Sequence, residues 1–160
     1  MTLHLALYQP DIPQNVGAAI RLCACLGLSL DIIEPCAFPW KDSEFRRTAM
    51  DYRELADLTR HSSWQNFCSL TAPQRKVLLT TKAATPLYDF RFRPDDILLM
   101  GRESAGVPES VHAEVDARIL IPMQGRARSL NIVNAAAIAC GEALRQVKYA
   151  KEGLQGLISS

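Results

Sequence analysis

The chain reads as an α/β protein, with a mainly parallel sheet covered by helices. Three observations predict this. Short strand-like runs of about five or six residues alternate with helical stretches along 160 residues, and parallel strands need such crossovers. One of these runs, Ile97-Leu98-Leu99-Met100, is apolar without a break, the mark of a strand covered on both faces. Finally, a β-branched strand stops at Ile121-Pro122, passes through a polar loop holding Arg126 and Arg128, and enters a long alanine-rich helix opened by Ser129. Turns of this kind receive nucleotide-like ligands, because unpaired N–H groups and the positive end of the helix dipole face outward there.

The elements follow in order. Leu3 to Tyr8 is a strand, and Gln14 to Leu26 a helix with Val16, Ile20, Cys23 and Ala24 on one face and Gly27 as its stop. Leu30 to Glu34 is a second strand, ended by Pro35. Polar helical pieces are expected around Lys41 to Met50 and Trp64 to Leu70, and a strand over Lys76 to Thr81. An irregular stretch holds Pro86 and Pro94. Asp95 to Met100 is a strand, Pro108 to Ala113 a short helix, Ala117 to Ile121 a last strand, and Ser129 to Val147 the terminal helix. Residues 1–150 form one domain and 151–160 a loose tail.

Composition narrows the function classes. Hydrophobic content of 48% and charged content of 22% are those of a globular protein. No apolar run approaches the roughly 20 residues of a membrane span, and the start of the chain lacks the pattern of a signal peptide. Five cysteines without a C-x-x-C pair, and histidines scattered at 4, 61 and 112, point to reduced thiols in a cytoplasm and to no metal site. A net charge of +1 excludes a globally basic nucleic-acid binder. Yet arginine outnumbers lysine 13 to 5 and clusters at Arg46-Arg47, Arg91 and Arg93, and Arg126 and Arg128. Any one of these is an ordinary surface charge; as a set they allow a local RNA-binding face, since arginine's fork suits phosphate.

The terminal helix has two patterns. Leu130, Val133, Ala137, Cys140, Leu144 and Val147 form a stripe expected to be buried. Ala136, Ala139 and Ala143 form a face of small residues, which packs inside the domain or against a second copy of the chain; a homodimer is expected.

Three blocks carry a family resemblance. They are Pro10-Asp11-Ile12-Pro13-Gln14-Asn15-Val16-Gly17-Ala18-Ala19-Ile20-Arg21, Ile97-Leu98-Leu99-Met100-Gly101-Arg102-Glu103-Ser104-Ala105-Gly106-Val107-Pro108, and the stretch from Ile121 to Asn134. In this order and spacing the chain resembles the SPOUT methyltransferases. Within them it is most similar to the small single-domain enzymes that 2′-O-methylate the wobble nucleotide, a cytidine or modified uridine, of leucine tRNAs. The resemblance implies a C-terminal trefoil knot, which general topology rules would argue against. It implies S-adenosylmethionine as cofactor and S-adenosylhomocysteine as product, held by Leu79, Thr80, Gly101, Glu103, Ile121, Met123, Ser129 and Leu130. On their own, Gly101 is equally a tight turn, Leu79 and Ile121 are core, and Ser129 is a helix cap.

For catalysis the resemblance implies Arg21, Asn15, Glu103, Ser129 and Asn131, and for RNA contact Arg21, Arg46, Arg47, Arg126 and Arg128. The methyl donor is already activated, so the protein's task is to align the attacking hydroxyl and help remove its proton. The family proposal makes Arg21 the base. A guanidinium rarely loses its proton, so stabilising the developing alkoxide or positioning a phosphate are roles it can serve while charged. Read singly, Asn15 and Asn131 are local helix-end amides and Glu103 a surface carboxylate.

Two positions depart from those relatives. Gly141 stands where a tyrosine before Glu-Ala is common, and Gly-Arg-Glu-Ser-Ala-Gly replaces Gly-Pro-Glu-Thr-Arg-Gly, moving an arginine to position 102. An exposed anticodon loop fits a catalytic domain that grips RNA unaided. Methylation of ribosomal RNA or another tRNA site, and a non-enzymatic RNA-binding module, are the alternative readings.

Overall fold

The computed structural model describes residues 2–41, 43, 45, 57–126 and 130–150. Seven strands form one sheet: β1 (His4–Tyr8), β2 (Ser29–Ile33), β3 (Asp57–His61), β4 (Lys76–Leu79), β5 (Thr85–Pro86), β6 (Ile97–Met100) and β7 (Ala117–Leu120). Their order is β3-β2-β1-β6-β4-β7-β5, and every pair is parallel. The α/β class and parallel sheet read from the sequence are therefore present. Helices α1 (Pro13–Leu26), α2 (Trp64–Leu70), α3 (Glu109–Glu114) and α4 (Ile132–Leu144) cover the two faces, and α4 continues as a wider π-type turn over Arg145–Tyr149.

The pleat explains the unbroken apolar strands. Leu5, Leu7, Leu98 and Met100 pack with Val16, Ile20 and Cys23 of α1 and with Ala136, Ala139, Cys140 and Ala143 of α4. Their neighbours Ala6, Tyr8, Ile97 and Leu99 face the other way, onto Trp64 and Phe67 of α2 and Val111 of α3. Successive residues thus serve opposite cores. Pro13 starts α1, where a missing N–H costs nothing. Gly27, at φ 68, ends it in the left-handed conformation with its N–H on Cys23 O.

Several expectations change. The stretch Asp57–His61 is a strand that the sequence reading passed over. It lies at the sheet edge and is largely exposed, so it lacks the apolar run that marks an interior strand. Polar contacts to β2 hold it: Ser29 Oγ donates to Asp57 Oδ2 at 2.6 Å and His61 Nε2 bonds Asp31 Oδ1 at 2.7 Å. The irregular stretch contains the short strand β5 and a 3-10 turn over Leu87–Asp89. The piece expected around Lys41 to Met50 lies mostly outside the described residues. On α1 the buried face holds Ala19, while Ala24 is only partly covered.

The terminal helix begins at Ile132, three residues later than expected. Asn131, not Ser129, caps it, with Oδ1 accepting from Val133 N at 2.9 Å and Asn134 N at 3.3 Å. The small-residue face, Ala136, Ala139 and Ala143, is the one that packs inside the chain, because alanine lets α4 lie close to the sheet and α1. Of the stripe expected to be buried, only Cys140 and Leu144 are; Leu130 is 40% exposed.

Buried charge is matched at the start of β6. Asp96, fully buried, accepts from Arg75 Nε at 2.8 Å, Arg75 Nη2 at 2.6 Å and Arg93 N at 2.8 Å. This joins the lead-in of β4 to that of β6. All five cysteines are free, and burial pushes the Cys23 and Cys140 thiols up. Among the described residues no helix is long and apolar enough to cross a membrane and no cluster of side chains is placed to hold a metal ion.

Candidate functional site

In a parallel sheet all carboxyl ends share one edge, and ligands bind in the crevice beyond it. Here β4, β6 and β7 lie side by side, and the segments that leave them converge on a cavity of about 390 Å³, within the range of small-molecule sites. Leu79 and Thr80 enter it from β4, Gly101 and Glu103 from β6, and Ile121 and Met123 from β7, with Leu130 before α4. The strands end earlier than the sequence suggested: Thr80, Thr81 and Ile121 have left the ladder and line the cavity.

Gly101 is required by space. A Cβ there would stand 2.8 Å from both the Gly106 carbonyl carbon and Cα. The loop is closed by a bridge in which Arg102 N donates to Gly106 O and Gly106 N to Arg102 O, each at 2.9 Å. Gly106 itself sits at φ 65, where glycine is at ease.

That loop brings Glu103 against α1. Asn15 Nδ2 donates to Glu103 Oε1 at 2.9 Å, Asp11 N donates to Oε2 at 3.2 Å, and Asn131 Nδ2 reaches Asn15 Oδ1 at 3.4 Å. Ser104 Oγ donates to Asp11 Oδ2. Burial, then the neighbouring Asp11 carboxyl, raises the pKa of Glu103. The hydrogen bond with Glu103 is the main cause that holds Asp11 down at about 2. Of the two carboxyls, Glu103 is therefore the one that holds a proton to higher pH.

This has a consequence for stability. A carboxyl with a raised folded value stabilises fully below its unfolded value of about 4.3, and that contribution is lost as pH rises through the folded value. Asp11 runs the other way and loses its contribution only as pH falls toward about 2. As the pH rises above about 4.3 and through the raised folded value of Glu103, the melting-temperature advantage of the wild type over Glu103→Gln, whose amide does not titrate, should narrow. Thermal melts of both proteins from acid to neutral pH read this directly; parallel curves would contradict it.

Placement of the expected site residues is uneven. Leu79, Thr80, Gly101, Glu103, Ile121, Met123 and Leu130 all line the cavity, as do Asn15 and Asn131. Asn15 does not cap α1; the residue at the cap is Ile12, and the Asn15 side chain crosses to Glu103. Asn131 has the local task of capping α4. Arg21 is exposed and does not line the cavity; six residues on from Asn15, it lies about 9 Å along the axis and on another side of α1. Arg126 is exposed, and Arg46, Arg47, Arg128 and Ser129 lie outside the described residues. The lining residues Ile12, Arg102 and Val107 were not singled out as site residues, although all three stand inside the blocks that carry the resemblance.

Sheet order, crevice and glycine-tight loop define the class: an α/β methyltransferase of SPOUT architecture. The family model described as "SpoU rRNA Methylase family" matches residues 2–141, and the chain belongs to that family. A relative called tRNA (cytidine(34)-2′-O)-methyltransferase, from Beijerinckia indica, is 60% identical over 145 residues, covering 89% of this chain and 91% of its own. A solved structure described as giving insight into 2-OH methylation of C/U34 on tRNA superposes with a TM-score of 0.86 at 40% identity, covering 91% of this chain and 95% of its own. The SpoU methyltransferase AviRb from Streptomyces viridochromogenes, solved with AdoMet, superposes with a TM-score of 0.83 at 27% identity over 91% of this chain and 60% of its own.

Proposed function

We propose that the chain transfers a methyl group from S-adenosylmethionine to the ribose 2′-hydroxyl of the wobble nucleotide of tRNA, with leucine isoacceptors as substrates. The observation that carries this is the cavity off β4, β6 and β7, lined by seven of the residues that the resemblance implies for the cofactor, in a chain that matches a wobble-cytidine methyltransferase across nine-tenths of both lengths. The reading includes the knotted C-terminal segment, which fits a β7 lying inside the sheet between β4 and β5.

The residues suit the cofactor. Leu79, Ile121, Met123 and Leu130 give apolar walls for an adenine, Thr80 and backbone groups give polar partners, and Gly101 admits close backbone approach. The bound cofactor supplies an activated methyl on a sulfonium, and S-adenosylhomocysteine is the product. Glu103, held by Asn15 and the Asp11 amide, fixes the loop; Asn131 ties α4 to Asn15.

Arg21 acts at the rim, where an RNA strand lies, rather than within the cofactor cavity. It stays charged and stabilises the developing alkoxide or holds the adjoining phosphate. Arg21→Ala is expected to lower single-turnover methyl transfer by at least about a hundredfold, while leaving S-adenosylhomocysteine affinity and melting temperature unchanged. Near-normal transfer would remove Arg21 from the mechanism. Arg46, Arg47, Arg126 and Arg128 are assigned to RNA contact.

The active form is a homodimer in the cytoplasm. Ile138 of α4 is 38% exposed, giving an apolar contact point for a second copy now that the alanine face is occupied within the chain. Sedimentation equilibrium at micromolar concentration is expected to give twice the chain mass; a monomer would contradict this.

A further inference from the structure

We propose that Arg102 binds a backbone phosphate of the RNA substrate at the mouth of the cavity, an inference that rests on the RNA-methyltransferase reading above. The loop presents this side chain on a fixed backbone, since Arg102 N and O are both bonded to Gly106. Arg102 lines the cavity next to Glu103. Its guanidinium is nevertheless unmatched: Nε is buried and has no hydrogen-bond partner. Among the described residues the other arginines in partly covered positions are spoken for, Arg75 by Asp96 and Arg118 by the His112 carbonyl. Asp11 feels the charge of Arg102, yet no hydrogen bond joins the two: Asp11 Oδ2 accepts from Ser104, and Oδ1 has no partner. A charged donor left without an acceptor is an arrangement that proteins avoid unless a ligand completes it, and a free guanidinium fork matches a phosphate.

Position favours the RNA backbone over the cofactor's carboxylate. The field of Arg102 reaches Tyr8 and Asp11, at the end of β1 and before α1. Tyr8 belongs to a second cleft of about 300 Å³, formed with Gln9, Glu34 and Trp64 outside the carboxyl ends of β1 and β2. Arg102 thus stands between the cofactor-sized cavity and this neighbouring cleft, on the path of a polymer crossing the sheet edge from one to the other.

The test compares wild type with Arg102→Ala, Arg102→Gln and Arg102→Lys, the latter two keeping bulk should alanine disturb the loop. Binding of tRNA is measured by fluorescence anisotropy between about 50 and about 200 mM salt, and S-adenosylhomocysteine binding by calorimetry. Loss of the charge is expected to weaken tRNA binding about tenfold and to make the slope of log affinity against log salt shallower by about one. Lysine restores most of the slope, and cofactor affinity holds. A fall in cofactor affinity with an unchanged salt slope would assign Arg102 to the cofactor and overturn the proposal. Unchanged values for both would overturn it as well. A wild type that binds no tRNA would instead sink the underlying reading, so the two failures are distinguishable.

Discussion

Gly101→Ala is expected to weaken S-adenosylhomocysteine binding by at least about tenfold and to depress methyl transfer accordingly. The new methyl would lie 2.8 Å from two backbone atoms of Gly106, and backbone cannot swing aside as a flexible side chain can. Overpacking of this kind costs about 1–3 kcal/mol, and each 1.4 kcal/mol is about tenfold in affinity. Relief requires Gly106 to move, which breaks the paired Arg102–Gly106 bridge and carries Glu103 away from Asn15 and the Asp11 amide. Gly141→Ala is the control. A Cβ at Gly141 meets nothing within 4 Å, so the same substitution there should stabilise the helix by about 0.5–1 kcal/mol. Calorimetric titration of both variants decides; a Gly101→Ala protein with wild-type affinity would show that the loop is not the cofactor's cradle.

Asp96→Ala is expected to cost about 3 kcal/mol of folding stability, at the low end for breaking a buried pair because Arg75 is 20% exposed. Three donors converge on this carboxylate, two from Arg75 and one from Arg93 N, and its removal leaves a guanidinium in a site that excludes most water. For a chain of this size that is a fall in melting temperature of about 6–12 °C. The damage also propagates. Lys76 pairs with Ile97 and Leu79 with Met100 along the β4–β6 ladder, so loosening the start of these strands loosens the cavity edge at their other ends. Urea unfolding measures the loss, and a change below about 1 kcal/mol would mean that the pair is a bystander.

Legibility from sequence tracked burial. β6 could be read because both its faces are covered, which leaves an unbroken apolar record, and β1 and β2 because Leu5 to Tyr8 and Leu30, Ile32 and Ile33 keep both faces largely apolar around a buried Asp31. β3 could not: Asp57-Leu58-Thr59-Arg60-His61 sits at an edge and is held by Ser29 and Asp31, contacts between residues far apart in the chain. The cavity lining was legible because most of it, with Leu78 to Thr81 the main exception, comes from the three blocks that resemble a known family, and Gly101 has a steric reason that the sequence only hinted at. What the sequence misjudged were local choices between equivalent residues. Ser129 and Asn131 both suit a helix cap, and only the geometry shows that Asn131 takes the role. Two stripes on α4 both suited the core, and the smaller one won because α4 packs close. Arg21 and Asn15 were grouped by the resemblance, and the turn of the helix puts them on different sides of α1.

The central claim, transfer to the wobble ribose, is tested most directly by supplying labelled S-adenosylmethionine with total tRNA and ribosomal RNA from cells lacking this protein, then locating the mark by nuclease digestion and mass spectrometry. The account predicts a 2′-O-methyl group at nucleotide 34 of tRNA. Label confined to ribosomal RNA, or no label while S-adenosylhomocysteine still binds, would contradict it.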